Sequence, residues 1–392
     1  MTAETAQQFE ALEAQAQRLL GVFTRAGYEY VAPAIIQPAG LFLDVIGEAL
    51  RARTYVFTDP EGEELCLRPD LTVPTCRLHL ARHASGAAPA RYCYNGPAFR
   101  YQPGGDSGAH PREFRQAGIE SFAAADREAD DTAVLALIIE ALREAGLTQF
   151  GIRIGDLSLF TALLNALPMP ERWRWRLKHQ FWRPEAFRAE LQRLTSGAAG
   201  HAGGLPRALV ERIDPDDPSS AESLVEAYLA EAGLELIGTR TVAEIAGRVR
   251  AAVADQRETP LPQATARLIE RYTAIKAPAN AAAGEIARLT GEQKIDLSAG
   301  LASFQRRLTL LEGAGIDTAA LQFSAEFGRN LEYYTAFVFE IATPRLGAAS
   351  PVAGGGRYDG LLAAAGAPRS VPAVGSSIHT ERLLAALNGG GA

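Results

Sequence analysis

Four stretches of the 392-residue chain set charged or hydroxyl-bearing side chains inside otherwise apolar, strand-like runs. They are LRPDLT, with Arg68, Asp70 and Thr72; GPAFR and REFRQAGIE, with Arg100, Arg112, Gln116 and Glu120; GRNLEYYT, with Arg329, Glu332, Tyr333 and Tyr334; and GGGRYDG, with Arg357, Tyr358 and Asp359. Burying such groups unpaired costs about 1 to 3 kcal/mol each, so they are expected to face one shared cavity. Carboxylates such as Asp70 and Glu120 can hold an α-ammonium, Arg329 a carboxylate, and Tyr333 and Tyr358 flat walls. That set suits a small zwitterion, most naturally an amino acid with a planar side chain. The competing reading is that these are ordinary cross-strand ion pairs.

Several elements must position these groups. Phe9, Leu12, Ala16, Leu19, Leu20 and Phe23 recur at helical spacing from Thr5 onward, and Gly27 stops the helix. GYEYVAPAII, 27 to 36, is β-rich but interrupted by Pro33, which suits an edge or a bulge. Tyr55 to Thr58 and Leu65 to Leu67 flank turn-forming Asp59, Pro60, Glu61 and Gly62 as a hairpin. Residues 91 to 99 and 113 to 122 form an antiparallel strand pair joined by the loop YQPGGDSGAHPR. A helix through Val134, Leu137, Ile138 and Leu142 stops near Gly146, and QFGIRIG returns as a strand. Strand character resumes at LQFSAEF and YYTAFVFEI, and a closing helix runs from about Ser377 to Leu387.

Between about Ala166 and Ala277 nearly every apolar run is helical, which marks a helical insertion over 166–277 in a core of 1–165 and 278–392. Ser219-x-x-Glu222 and Thr241-x-x-Glu244 read as capping boxes. SGAAGHAGGLP (196 to 206) and DPDDPSS (214 to 220) punctuate it, and Pro278 marks its exit. Residues 171 to 183 carry Arg172, Arg174, Arg176, Lys178 and Arg183 beside Trp173, Trp175 and Trp182. The favoured reading is a helix snorkelling long cations around a tryptophan face; a partner-docking face and a stacking nucleic-acid patch are the alternatives.

Composition narrows the function class. Apolar residues make up 47% and charged residues 22%, the balance of a globular protein. Lys plus Arg (39) against Asp plus Glu (46) gives a net charge of −7, which repels a nucleic-acid backbone. Cys66, Cys76 and Cys93 are too few and too scattered for a disulfide framework or a zinc site, so reduced buried thiols and no metal are expected. Without a signal-like start or a long apolar run, a soluble cytoplasmic protein is expected. GGGRYDG lacks the lysine end of a phosphate loop and reads as a tight turn. His79, His83, His110, His179 and His201 are scattered and read as surface or satisfied residues.

Taken in order, GYEYVAPAII, LRPDLT, GPAFR with REFRQAGIE, RNLEYYTAFVFE, GGGRYDGL and PAVGSSIHTERL resemble the class II aminoacyl-tRNA synthetase catalytic core, specifically that of histidyl-tRNA synthetase, over about 5 to 155 and 290 to 387. The resemblance implies an α+β fold: a mostly antiparallel sheet flanked by helices, with a homodimer interface through the 27 to 36 region. It places Asp70, Thr72, Gln116, Glu120, Arg329, Tyr333 and Tyr358 at histidine-binding positions, and Arg100, Gln102, His379 and Arg382 at positions of the ATP site.

The departures from that pattern carry as much information. The family's Phe-Arg-x-Glu reads Phe99-Arg100-Tyr101-Gln102, so the carboxylate acceptor at the adenine end is gone. Exchanging a charged hydrogen-bond partner for a neutral amide forfeits part of roughly 1.5 to 3 kcal/mol. His379 replaces a glycine before Thr380, Glu381 and Arg382, and the RGLDYYTG pattern is altered at Asn330, Glu332 and Ala336. Only 392 − 382 = 10 residues follow Arg382, which implies no anticodon-binding domain. A synthetase-like core with these changes resembles the regulatory-subunit family of ATP phosphoribosyltransferases. That resemblance implies a noncatalytic protein with no cofactor, partnered by a short-form catalytic subunit at the first step of histidine biosynthesis. It also implies L-histidine as feedback effector and a homodimer within a hetero-oligomer as large as a hetero-octamer, with no nucleic-acid or membrane partner. The alternative is a synthetase-like enzyme that still adenylates histidine or another amino acid, using Arg100 and Arg329 on the phosphates.

Overall fold

The computed structural model describes residues 5–40, 42, 48–103, 105, 111–197, 211–233, 241–329 and 331–388. The chain forms two compact units, one of 1–166 with 272–392 and the other of 167–271. Asn330, His110, His201 and the punctuation over 198–206 lie outside the described residues.

The first unit is built on strands β1 (Glu29–Tyr30), β2 (Ile36–Pro38), β3 (Val56–Thr58), β4 (Glu64–Leu67), β5 (Ala90–Phe99), β6 (Glu113–Phe122), β7 (Gly151–Asp156), β8 (Lys276–Pro278), β9 (Gln322–Ser324), β10 (Phe337–Ala342), β11 (Ala353–Arg357) and β12 (Ala373–His379). Nine of them form one sheet in the order β1-β5-β6-β12-β11-β10-β7-β9-β8, and β2-β4-β3 form a small second sheet. Among the described residues, only the pairs β1 with β5 and β7 with β9 run parallel. The β5–β6 hairpin is the longest pairing among the described residues, from Ala90↔Phe122 to Phe99↔Glu113. Strand β6 is buried along nearly its whole length, as a central strand covered on both faces must be.

Helix Ala6–Arg25 starts where the sequence places it. Thr5 and Gln8 form a reciprocal capping box, and Gly27 closes the turn at φ 83°. Its apolar stripe Leu12, Ala16, Leu19, Leu20 and Phe23 is buried against helices Arg127–Glu144 and Thr380–Leu387. Phe9 departs from that stripe: it is exposed, with the Arg115 guanidinium 5.2 Å from its ring centroid.

The closing segment also differs from expectation. Ser377 to His379 continue β12, because they pair in register with Gly118 to Gln116 of β6, and the helix begins at Thr380. GGGRYDG is a turn only in its second half: Gly354 to Arg357 belong to strand Ala353–Arg357 in the middle of the sheet, and the chain turns at Asp359 and Gly360, where Leu361 N donates to Tyr358 O at 3.0 Å. The run of glycines there reflects close approach. A Cβ on Gly355 would lie 2.2 Å from the Gly375 carbonyl oxygen, and one on Gly354 would lie 1.2 Å from Arg329 Nη1.

The second unit carries helices Glu171–Gln180, Pro184–Ser196, Pro218–Glu231 and Val242–Arg257. Ile213, Ala221, Val225, Ala246, Val249 and Val253 pack as one apolar cluster. Thr241 and Glu244 form the expected capping box, but Ser219 caps nothing. Asp217 is the N-cap, accepting from Ser220 N at 3.0 Å, since Pro218 has no N–H to lose and already sits in the first helical turn. Two arginines of 171 to 183, Arg172 and Arg176, are drawn into ion pairs within the unit. Asp255 accepts from Arg172 Nε at 2.8 Å, Trp173 Nε1 at 2.6 Å and Arg176 Nη2 at 2.6 Å, which offsets the charge of these two arginines from within. Strand β8 shows that the sheet-forming chain resumes before Pro278. Among the described residues no helix is long and apolar enough to cross a membrane, and no cluster of His, Cys, Asp or Glu is arranged to hold a metal ion.

Candidate functional site

A cavity of about 430 Å3 opens in the first unit. Most of the singled-out polar residues meet on its wall: Asp70 and Thr72 at the start of helix Thr72–Arg82, Arg100 just past β5, and Gln116 on β6. With them stand Arg329, Tyr333 and Tyr334 ahead of β10, Tyr358 after β11, His379 at the end of β12, and Arg382.

One part of the wall offers acceptors. Asp70 is buried; its Oδ1 accepts from Val73 N at 3.1 Å, while Oδ2 has no hydrogen-bond partner. Burial pushes its carboxyl pKa up, against the Val73 hydrogen bond and the Arg100 charge. Gln116 Oε1 is likewise buried without a partner. An orphaned buried acceptor costs about 1 to 3 kcal/mol, a cost that a ligand with several N–H donors removes.

Beneath this part lies Glu120, fully buried and not itself on the wall. Tyr94 Oη donates to its Oε1 at 2.9 Å, and Tyr358 Oη donates to Oε2. Burial pushes the carboxyl up to about 7, opposed by hydrogen bonds from Tyr358, Thr72 and Tyr94. Space for it exists only because residue 375 is glycine, where a Cβ would stand 1.6 Å from Glu120 Oε2. The aromatic walls are Tyr333, Tyr334 and Tyr358, with Tyr333 and Tyr358 edge to face at 5.6 Å and 73°. Burial raises the Tyr358 and Tyr333 phenols well above their ordinary value, so both stay protonated donors.

Another part of the wall is cationic. Arg100 donates from Nε to Pro69 O at 2.8 Å and is pushed down to about 10, chiefly by burial, with Arg53 and Arg329 reinforcing the shift. Arg382 is lowered by burial and by Arg329 and Arg53. These guanidinium groups repel one another across the cavity, which favours an anionic group between them. Arg329 lies over Gly354, with Nη1 3.3 Å from Phe339 O and its guanidinium carbon 6.0 Å from the Tyr334 ring centroid. His379 stacks on Phe114 at 4.8 Å and 26°.

Several expected members stand elsewhere. Arg68 is buried and spent on the Pro97 and Pro33 carbonyls, with its guanidinium held close against Gly96. Arg357 and Asp359 face the other side of the sheet, where Arg357 Nε donates to Asp131 Oδ1 at 2.8 Å and Nη1 to Asp359 Oδ1 at 2.9 Å. Alternation along the strand forces this, since Arg357 and Tyr358 are neighbours and only one can face the cavity. Arg112 and Glu332 do not belong to the wall. Gln102 is also off the wall: its Oε1 accepts from Arg53 Nη2, and its Nε2 donates to Pro111 O at 3.0 Å. Arg53, Arg153 and Glu340 line the cavity unforeseen. Arg153 and Glu340 are ordinary cross-strand partners at 2.6 Å, and nothing in the local spacing around Arg53 marks it.

A model of the histidyl-tRNA synthetase family matches residues 4–211 and 220–383. A protein of Brucella anthropi is 36% identical over 356 residues, 91% of this chain and 92% of that protein, and one of Brucella canis is 36% identical over 358 residues. Both bear the name ATP phosphoribosyltransferase regulatory subunit. Among solved structures, an ATP phosphoribosyltransferase regulatory subunit/histidyl-tRNA synthetase from Bacillus halodurans superposes with TM-score 0.69 at 22% identity, covering 99% of this chain and 82% of that one. A histidine–tRNA ligase subunit from Alicyclobacillus acidocaldarius superposes with TM-score 0.59 at 24% identity, covering 99% and 95%. At these identities the structural likeness speaks for the fold: a mixed, mostly antiparallel sheet flanked by helices. The family match and the relatives' names together place this chain in the histidyl-tRNA synthetase family, among its ATP phosphoribosyltransferase regulatory subunits.

Proposed function

We propose that the chain is a noncatalytic subunit that senses L-histidine for ATP phosphoribosyltransferase, without aminoacylation activity of its own. The observation that carries the ligand reading is the pair of orphaned acceptors, Asp70 Oδ2 and Gln116 Oε1, on a wall that also holds tyrosines and arginines. An α-ammonium satisfies the acceptors, the arginine part takes the α-carboxylate, and the Tyr333 and Tyr358 rings flank an imidazole. Glu120, reached through Tyr358, sets the polarity of the imidazole end. Arg100, Gln102, His379 and Arg382 are remnants of a nucleotide site in this reading. Gln102 is turned to Arg53 and Pro111 and stands off the cavity wall, away from where an adenine ring would lie in this reading.

The partner is a short-form catalytic subunit that carries out the first step of histidine biosynthesis, and histidine binding here communicates inhibition to it. A coupling of about 1 to 3 kcal/mol suffices for 5- to 150-fold control, provided histidine binds one arrangement of the assembly better than another. A homodimer within the hetero-oligomer fits the small sheet, where Ile35, Ile36, Val56 and Phe57 are between 38% and 52% exposed, an apolar face that a second copy can cover. The deciding experiment is reconstitution. The chain alone should show no phosphoribosyl transfer, and adding the short catalytic subunit should produce activity that histidine inhibits. Equal activity and equal histidine sensitivity of the catalytic subunit alone would sink the proposal.

One observation favours a second reading. The Arg329 charge stands close enough to lower both Arg100 and Arg382, an arrangement that suits groups clamping a triphosphate. A chain that adenylates histidine would exchange pyrophosphate into ATP in its presence; the regulatory reading requires that exchange to be absent.

A further inference from the structure

A second cavity, of about 640 Å3, opens between the start of β5, the end of β6 and the first turns of helix Arg127–Glu144. It is distinct from the cavity described above. Ser121 lies on its wall while its neighbour Glu120 faces the first, the alternation a strand imposes.

Asp130 lies on this wall at 4% exposure. Its Oδ1 accepts from Ser121 Oγ at 2.8 Å, but Oδ2 accepts no hydrogen bond. Arg357 Nη2 stands 3.9 Å from that oxygen, beyond hydrogen-bond reach, and donates instead to Arg127 O at 3.0 Å. A buried carboxylate oxygen left in this state is held at a cost that a protonated nitrogen would offset. The opposite charge is also present. Arg91 lies exposed on the same wall, its guanidinium carbon 5.9 Å from the Tyr28 ring centroid. Ala90, Ala124 and Ala129 keep the walls short.

The geometry points to a second small-molecule site that takes a free α-amino acid, its ammonium on Asp130 Oδ2 and its carboxylate on Arg91. It is independent of the histidine reading of the first cavity. Ligand contact here meets the same two dipeptides that serve the first cavity from the other face, Glu120-Ser121 and Arg357-Tyr358.

The test is a thermal-shift screen of the common L-α-amino acids, one at a time at millimolar concentration, on the full chain carrying Asp70→Asn, which removes the orphaned carboxylate from the first cavity. At least one should raise the unfolding midpoint by about 2 °C or more. Adding Asp130→Asn, which keeps the Ser121 hydrogen bond, should abolish that rise, and adding Arg91→Met should at least halve it. If Asp130→Asn erases the cooperative transition, the Arg91→Met comparison alone decides. No stabilisation by any amino acid in the Asp70→Asn chain, or a rise that persists undiminished in the decisive variant, overturns the assignment. Loss of a response in the parent chain on Asp70→Asn reports separately on the first cavity.

Discussion

The Tyr358 hydroxyl and the Glu120 carboxylate meet over Gly375, on a strand that lies between theirs in the sheet. The hydrogen bond therefore crosses a neighbouring strand at a place where no side chain other than hydrogen fits. It ties the end of β11 to the middle of β6 and fixes the polarity of the ligand cavity from below.

Gly375→Ala should break that tie. The added methyl would stand 1.6 Å from Glu120 Oε2 and 2.7 Å from the Ile119 carbonyl oxygen, so either the carboxylate or the backbone must move. Overpacking of this kind costs about 1 to 3 kcal/mol. Urea unfolding reads the loss, and calorimetry with L-histidine should show affinity at least tenfold weaker. An alanine variant with parental stability and affinity would contradict the geometry.

Glu120 should make stability depend on pH near neutrality. Its folded pKa of about 7 lies above the ordinary 4.5, so the folded state holds the proton more tightly. That contribution is complete below about 4.5 and is lost as pH rises through about 7. The stability of the parent chain relative to Glu120→Gln should fall by on the order of 2 kcal/mol between about pH 5 and pH 8. Parallel stability curves for the two proteins would show that Glu120 does not titrate there.

Asp70→Asn separates binding from folding. The amide keeps the Val73 hydrogen bond and removes a carboxylate that burial disfavours. Unfolding free energy should hold or rise. Affinity for histidine should drop by roughly 10- to 100-fold, the equivalent of one charge-assisted hydrogen bond worth about 1.5 to 3 kcal/mol. A fall in stability with unchanged affinity would place Asp70 in the scaffold alone.

In the helical unit, Asp255 gathers Arg172, Trp173, Arg176 and Arg193, and its side chain is only 4% exposed. The arginines keep a quarter or so of their surface in water, which moderates the cost of losing the anion. Asp255→Ala should destabilise this unit by about 1 to 3 kcal/mol. Near-ultraviolet circular dichroism of the tryptophans through thermal unfolding measures it; an unshifted transition would mean the hub is dispensable.

Local chemistry decided much of this protein in advance. The periodicity of 6–25, the Thr5 and Thr241 caps, the β5–β6 hairpin and the placing of Gln116 in a strand and Tyr358 at a strand's end all follow from side-chain type and spacing within a few residues, whereas LRPDLT, which reads as strand-like, leads into helix Thr72–Arg82, and Tyr333 stands in a turn ahead of β10. What only the tertiary structure decided is which face each polar residue takes and which strands lie side by side. Arg357 and Asp359 resemble Tyr358 in sequence context, yet they serve a buried charge network on the other face, because side chains alternate along a strand. The GGGRYDG glycines suggested a turn, and their purpose appears only once β12 and Arg329 press on them. Arg53 joins the cavity from a segment without any motif, since its approach to Gln102 depends on chain 49 residues away. Patterning within one element is written in the sequence; contact between distant elements is settled only by how the sheet is ordered and packed.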